Sequence, residues 1–470
     1  MLTRPYIQYA SVEELYGVIS TVCSVENEHV IEITDKNKLE QDVVFLLQYT
    51  ASVSDNIEVK QTAIRVINEI SSLMQIQTGS NVSFYDEKAS GQHEFFTVPA
   101  INCRMLTFHM VRSAMRAANS LSVPHLIFEL ALSESGYTDQ QMDEYAALTK
   151  AAFISLGLNN HTIYLQADHY QLDPKKYEDD PDAEKARVQA AITKAIEHGV
   201  YNIDIDTSKF ETADPQKTDK ENQQKNAQLT AEMFHYIRQY EKDNDLPCTI
   251  SIGGEVGEVG GENTKYPQVN AYLDLLKEYS TELGSGDEKA ISKVSINVGS
   301  AHGGVLGPDG LPLDSVPLDF QAHHDLYMKG QDPMNPRKHV VSAQHGASTL
   351  PKKYFALFPA VHTGEIHLAT GFQNLIWKVL EEQDLTLFEK MKSIAFEKFG
   401  EKIAKYPTEA IGFVKERKRV TQFIKKELLQ TAALPQIEQE LEQEFSTIFH
   451  SLYTLLASRK GIVEEGDRDD

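Results

Sequence analysis

Between Phe95 and Gly371 the chain carries eight short apolar runs, each separated from the next by a segment of helical periodicity. The runs are FFTVPAIN (95–102), VPHLIFELAL (123–132), HTIYLQAD (161–168), VYNIDIDT (200–207), PCTISIGGE (247–255), VSINVGS (294–300), HVVSAQHG (339–346) and GEIHLATG (364–371). A run that is apolar throughout, rather than alternating with polar residues, reads as a strand buried on both faces. Parallel strands need a crossover to bring the chain back, and the intervening amphipathic helices supply it. Eight such units predict an α/β fold, a closed (β/α)8 TIM barrel rather than an open sheet.

A barrel takes about 250 residues, and this chain has 470. The surplus predicts helical additions at both ends. Residues 39–49 and 59–74 space their apolar side chains three and four apart, so 1–90 reads as a helical N-terminal extension. The Gly/Ser-containing stretch 79–91 reads as a linker into a catalytic barrel spanning 91–385. Polar stretches at 172–184 and 210–228 read as loop insertions or solvated helix starts. C-terminal helices are expected over 386–460, with the basic KERKR at 415–419 on a solvated face and the acidic GIVEEGDRDD (461–470) disordered.

The polar residues at the ends of the runs are the informative ones, because the C-terminal rim of a barrel carries its chemistry. Those ends present Asn102, Asp168 with His169, Asp206, Glu255, His302 and His345. Three imidazoles, His169, His302 and His345, make a borderline-soft site suited to Zn²⁺ with a fourth position open. Asp168, adjacent to one of them, is placed for general acid/base work. The loop GGEVGEVGGEN (253–263) follows a strand and is dense in Gly and Glu. No helical pattern opens directly after it, so it is not a dinucleotide fingerprint. It brings Glu258 and Glu262 as further candidates. Small residues around His302 and His345 (GSAHGG, QHGAS) let backbone N–H groups approach an anion, and Lys352 and Lys353 follow nearby.

Net charge is -24. Such a surface repels phosphate backbones, so no nucleic-acid partner is expected, and an anionic substrate needs a local metal or Lys/Arg site. The three cysteines, Cys23, Cys103 and Cys248, form no CxxC pair, so neither a thiolate zinc site nor a disulfide framework is indicated, and a reducing cytoplasm fits. The opening residues lack an apolar signal core, and no apolar run is long enough to span a membrane. The expected partner is a small molecule, and the expected assembly a homo-oligomer.

At these residues the chain resembles the class II, zinc-dependent fructose- and tagatose-bisphosphate aldolases, from about Phe96 to Phe372. VPAIN is similar to the family's VPAVN and implies Asn102 as a substrate-orienting residue. QADH resembles its DH motif, implying Asp168 as proton donor and acceptor and His169 as zinc ligand. DTS (206–208) resembles D-x-S. GGEVGEVGGEN resembles E-x-G-x-x-G-G-E-E, which makes Asp206 and Glu255 a second metal position. GSAHGGV implies His302, with Gly303 beside the substrate. QHGAS resembles HGGSG and implies His345, with Gly346, Ala347 and Ser348 near a phosphate.

Two departures stand out. The loop glutamate that enolises the substrate in the family is matched by Asn263, which leaves Glu262 or Glu258 to replace it. The family's last-strand N-x-D-T, which grips a ketose phosphate, is absent, and the strand reads HLATGF with His367 in its place. That last strand also resembles zinc-dependent tagaturonate/fructuronate C4-epimerases. The implied activities are therefore reversible aldol cleavage of a ketose or ketose phosphate, ketose C4-epimerisation on the same metal, or a non-catalytic role supporting a partner aldolase.

Overall fold

The computed structural model describes residues 8–93, 95–257, 262–300, 305–311, 313, 315–330 and 340–466, with 454–466 described by their backbone. Eight parallel strands form the barrel: β1 (Val98–Asn102), β2 (Ile127–Ala131), β3 (His161–Gln171), β4 (Asn202–Asp206), β5 (Ser251–Val256), β6 (Lys293–Ile296), β7 (Val341–Gln344) and β8 (Glu365–Leu368). Each pairs with its neighbours in sequence, β8 pairs back with β1, and β3 with β4 completes the ring. All eight predicted strands are found, and the outer helices cover them as the apolar runs require.

The ends differ from expectation. The N-terminal extension is not purely helical, since Cys23–Glu26 and His29–Ile33 form an antiparallel hairpin. Its helices Val44–Val53 and Ile57–Leu73 are not a detached unit. Leu47, Val59, Ala63 and Ile67 are buried in the same apolar core as Leu148 and Ala152 of the barrel helix Met142–Ser155. A short strand, Ile76–Thr78, adds to the outer side of β3.

The stretch read as a linker contains the helix Val82–Ala89, which stoppers the bottom of the barrel. Tyr85 is fully buried there among Val98, Ala100, Ile127 and Val341. Its hydroxyl meets the Glu365 carboxylate inside the barrel. The helix spans only eight residues, VSFYDEKA, too short a window for its apolar spacing to single it out, so only the tertiary fold reveals this role. At the other end, the helix Leu434–Gly466 packs by its first half against the barrel helix Thr107–Leu121. It runs several residues into the stretch read as a tail. Glu438 joins the two helices by bonds to His109 Nδ1 (2.7 Å) and Arg116 (3.0 Å).

The barrel interior is polar where such interiors are usually layered with branched apolar side chains. Side chains two apart on a strand face the same way. Gln166, Asp204, Lys293 and Glu365 thus lie one layer below Asp168, Asp206 and His367. Lys293 Nζ contacts Asp204 (2.9 Å) and Glu365 (2.5 Å) and donates to Gln166 Oε1 (2.7 Å). Gly253 makes room for this group, because a Cβ there would lie 2.3 Å from Asp204 Oδ1 and 2.9 Å from Lys293 Cε.

Candidate active site

The site is set by one irregularity in β3. Gln166 and Ala167 pair with Asn202 and Ile203, but the next register pairs are Tyr170 with Ile205 and Gln171 with Asp206. Two residues, Asp168 and His169, therefore stand opposite one, which is a β-bulge. His169 takes a positive φ of 45° to accomplish it. In a non-glycine residue that conformation costs of order 1–3 kcal/mol and persists where the surroundings enforce it. The bulge turns both side chains into the barrel mouth, and β3 continues past them to Gln171, three residues beyond its predicted end.

His169, His345 and His367 form a stack at the rim, with ring centroids 4.1 Å apart for the first pair and 3.9 Å for the second. Carboxylates surround it. His169 Nδ1 lies 3.0 Å from Asp206 Oδ2 and 3.4 Å from Glu255 Oε2. His345 lies 3.7 Å from Glu255 and 4.0 Å from Asp168. His367 Nδ1 contacts Glu129 at 2.8 Å and Asp168 at 3.5 Å. Its Nε2 sits 2.9 Å from Glu365 Oε1, without the alignment of a hydrogen bond.

Burial and charge oppose each other here. Burial favours neutral imidazoles, but Asp168, Glu255 and Asp206 beside His169 hold its pKa well above the ordinary value. Burial opposes a charge on His367 as well, but Glu129 and Glu365 beside it hold its pKa well above the ordinary value. Glu255 is pushed up to about 8 by burial and by the neighbouring Asp206. Asp206 is held below the usual range despite its burial, because it accepts from His169 and Ser208. A cluster of carboxylates and imidazoles with pKa values driven apart is the electrostatic mark of a functional centre.

A cleft of about 680 Å³ opens over this cluster. Asn102, Asp168, His169, Asp206, Glu255, His345, Gly346, Ser348 and His367 all line it. Other expected residues do not. Ala347 is buried at the start of the short turn behind the rim, Ala347–Thr349. Glu262 is exposed and outside the cleft, with its carbonyl accepting from Asn297 at 3.2 Å. Lys352 pairs with Glu444 of the C-terminal helix, and Lys353 lies over the ring of Tyr354, so neither faces the cleft. His302, Gly303 and Glu258 lie outside the described residues.

The cleft also includes groups that the sequence reading passed over. Glu129 was the one charge inside an otherwise apolar run, a signal available but unused. Arg104, Glu134 and Tyr137 form a wall in which Glu134 accepts from Arg104 (2.8 Å), Asn102 (2.5 Å), Tyr137 (3.1 Å) and the Ala131 amide (3.0 Å). The C-terminal addition contributes Val414, Lys415 and Lys418. The basic stretch read as a solvated helix face is therefore part of the site's wall.

Comparison with known families agrees with the geometry. The family described as fructose-bisphosphate aldolase class-II matches residues 87–427. The chain belongs to this family. No curated protein matches it. Among solved structures, the fructuronate-tagaturonate epimerase UxaE from Cohnella laeviribosi is similar over 96% of this chain and 91% of that one, with TM-score 0.52 and 10% identity. A probable tagatose 6 phosphate kinase from Sinorhizobium meliloti 1021 covers 79% of this chain and 93% of its own, with TM-score 0.50 and 15% identity. The YdjI aldolase from Escherichia coli K12 gives TM-score 0.41 and 15% identity over 74% and 96%. At these identities the first two likenesses speak to the fold alone. No described helix is long and apolar enough to cross a membrane.

Proposed function

We propose that this class II family member is a zinc-dependent enzyme that catalyses reversible aldol cleavage of a ketose or ketose phosphate. The observation that carries the reading is the meeting of His169 and His345 with Asp168 at the barrel rim, their ligand atoms all within 4.8 Å of one another. The donor set fits a divalent cation. It is buried nitrogen and carboxylate oxygen, and Asp168 Oδ1 has no hydrogen-bond partner among the described residues. His169 and His345 would hold the zinc, with His302 as the third ligand that the family motif implies. Asp206 and Glu255, within the same reach of His169, are the candidates for a second cation. Zinc in such a site supplies a Lewis acid for the substrate's carbonyl.

The chain's own groups do the rest. Asp206 fixes the ring of His169 through Nδ1, leaving the other nitrogen for ligation, the usual division of labour in histidine metal sites. Asp168 is the general acid/base for the C4 hydroxyl, as its oxygen without a hydrogen bond among the described residues and its place beside the stacked imidazoles support. Asn102 donates its amide to Glu134 and keeps a buried Oδ1 with no partner among the described residues, ready to accept from a substrate hydroxyl. His367 adds a further hydrogen-bonding group above Glu129. The test is metal analysis together with NMR of a panel of ketoses, ketose phosphates and ketouronates incubated with the holoenzyme. Aldehyde fragments support the reading, and a zinc-free protein inert to the whole panel would sink it.

C4-epimerisation is the second reading, and one observation favours it. Asn263 occupies the family's enolising position and Glu262 is exposed away from the cleft, so neither of these loop residues supplies the group that would protonate a released enediolate. Retro-aldol cleavage followed by re-addition within the cleft would then return an epimer. The same NMR panel separates the two outcomes.

A further inference from the structure

The helices that follow the barrel lay a basic strap across one side of the cleft. Helix Glu409–Glu416 leads through the turn Arg417–Val420 into helix Thr421–Gln430. Arg417 pins the strap to the barrel's last helix, Thr370–Gln383. It donates to Asn374 (2.7 Å) and stacks over Trp377 (5.2 Å) and Phe413 (5.5 Å). Arg419 is held by Glu416 at 3.0 Å. These anchors leave Val414, Lys415 and Lys418 as cleft wall, beside Arg104, Tyr137 and Thr370.

Lys418 differs from Arg417 and Arg419 in having no hydrogen-bond partner among the described residues. Its Nζ makes neither a hydrogen bond nor an ion pair among the described residues, and it lies over the Tyr137 ring at 5.6 Å. The carboxylates in reach are already engaged: Glu134 by Arg104, Asn102 and Tyr137, and Glu416 by Tyr406 and Arg419. Burial, and then the Arg104 charge, push its ammonium down to about 8. Holding a half-buried cation without an ion pair is unfavourable, and the fold has an exposed exterior where lysines are accommodated freely. It lines the same cleft as Ala369 and Thr370, at the start of helix Thr370–Gln383. Cation and helix N-terminus favour the same ligand, an anion.

The charge balance of the chain makes this local feature matter. With a net charge of -24, the overall field repels an anionic sugar, so capture depends on cations at the site itself. The barrel's last strand supplies no side-chain donor at Ala369 or Gly371, and Ser348, whose Oγ accepts from the Gly371 amide at 3.0 Å, offers a neutral hydroxyl and no charge.

We propose that Lys418, supported by Lys415, is the specificity-determining residue that binds the terminal anionic group of the substrate, carboxylate or phosphate, from the C-terminal helical strap rather than from the barrel loops. This names the substrate class of the proposed reaction and rests on that reading only for the sugar part. An anion on the end carbon of a ketose would face the strap while the carbonyl faces the histidines. The strap is thereby an integral part of the site.

The test is calorimetric titration of the metal-loaded full chain with fructose, fructose 6-phosphate and fructuronate, in wild type, Lys418→Met and Lys418→Arg. Wild type is expected to bind at least one of the two anions at least about tenfold tighter than fructose. A charge-assisted bond of this kind is worth about 10- to 100-fold in affinity. Lys418→Met should abolish that preference without changing fructose binding, and Lys418→Arg should retain much of it. Which anion responds tells carboxylate from phosphate. The inference is overturned if Lys418→Met keeps the preference, or if wild type binds all three sugars equally or binds neither anion. A Lys418-dependent anion preference in a protein that turns over no sugar would remove the proposed reaction and leave this site standing. Turnover of neutral and anionic sugars alike, indifferent to Lys418, would do the reverse.

Discussion

Replacing Lys293 by methionine should be among the most damaging single changes in the barrel. The side chain is 1% exposed and serves two carboxylates, Asp204 at 2.9 Å and Glu365 at 2.5 Å, themselves 9% and 0% exposed. Removing one partner of a buried ion pair costs about 3–5 kcal/mol. Here one cation is shared by two acids, so about 5 kcal/mol is expected. The control is Lys220→Met. The Lys220–Glu278 pair is as close (3.0 Å) but more than half exposed on both sides, and its loss should stay below about 1 kcal/mol. Equilibrium urea unfolding followed by circular dichroism gives both numbers. The pH dependence carries a second check. Burial would raise the Glu365 carboxyl, yet Lys293 and then His367 hold it below the ordinary range. In wild type its contribution is therefore present above the unfolded carboxylate pKa and lost as pH falls through the folded one. Without Lys293 burial weighs more on both acids: Asp204, already raised to about 6 by burial in wild type, rises further, Glu365 keeps only His367 against burial, and the variant gains stability relative to wild type as pH falls. The deficit should thus shrink from pH 7.5 to pH 5. A deficit under about 1 kcal/mol, or one that grows on acidification, would refute this account of the barrel interior. Adding Glu365→Gln and Asp204→Asn should recover much of the loss, since replacing a whole buried ionic group is tolerated better than halving it.

His345→Ala should lose most of its bound zinc in metal analysis while retaining the fold. Unchanged zinc content would remove His345 from the ligand set. Asp168→Asn should keep zinc and fold but lose about 10²- to 10⁴-fold in turnover, and near-wild-type rates would reduce Asp168 to an orienting role. Glu438 ties the C-terminal helix to the barrel. Burial opposes its ionisation, but His109, Arg112 and Arg116 bring its pKa down to about 2. Glu438→Gln should cost about 3 kcal/mol at pH 7, measured by urea unfolding. Because the folded pKa is depressed, that contribution exists above about pH 4.3 and fades as pH falls toward 2, so the variant's acid limb should be flatter than wild type's.

Some features were legible in the sequence because local pattern dictates them. An apolar run cannot sit at a surface, and eight of them separated by helices leave the closed parallel barrel as the economical solution. A polar residue at the end of such a run marks the rim, which is how Asn102, Asp168, His169, Asp206, Glu255 and His345 were found. His367 was found as a departure from family pattern, and it stacks on His345. Other features belong to the tertiary structure alone. The bulge that turns Asp168 and His169 inward together exists only through the mismatch between β3 and β4. Tyr85 becomes a barrel stopper only when Glu365, far along the chain, closes over it. Lys293 reads as an ordinary strand-flanking lysine until Asp204 and Glu365 surround it. Lys418, in a stretch that looks like any solvated basic face, becomes cleft wall because Arg417 stacks on Trp377. The sequence states which residues must leave water, since burial of apolar surface is a local property. Which charges they carry inside with them depends on partners brought together across hundreds of residues, and only the closed fold decides that.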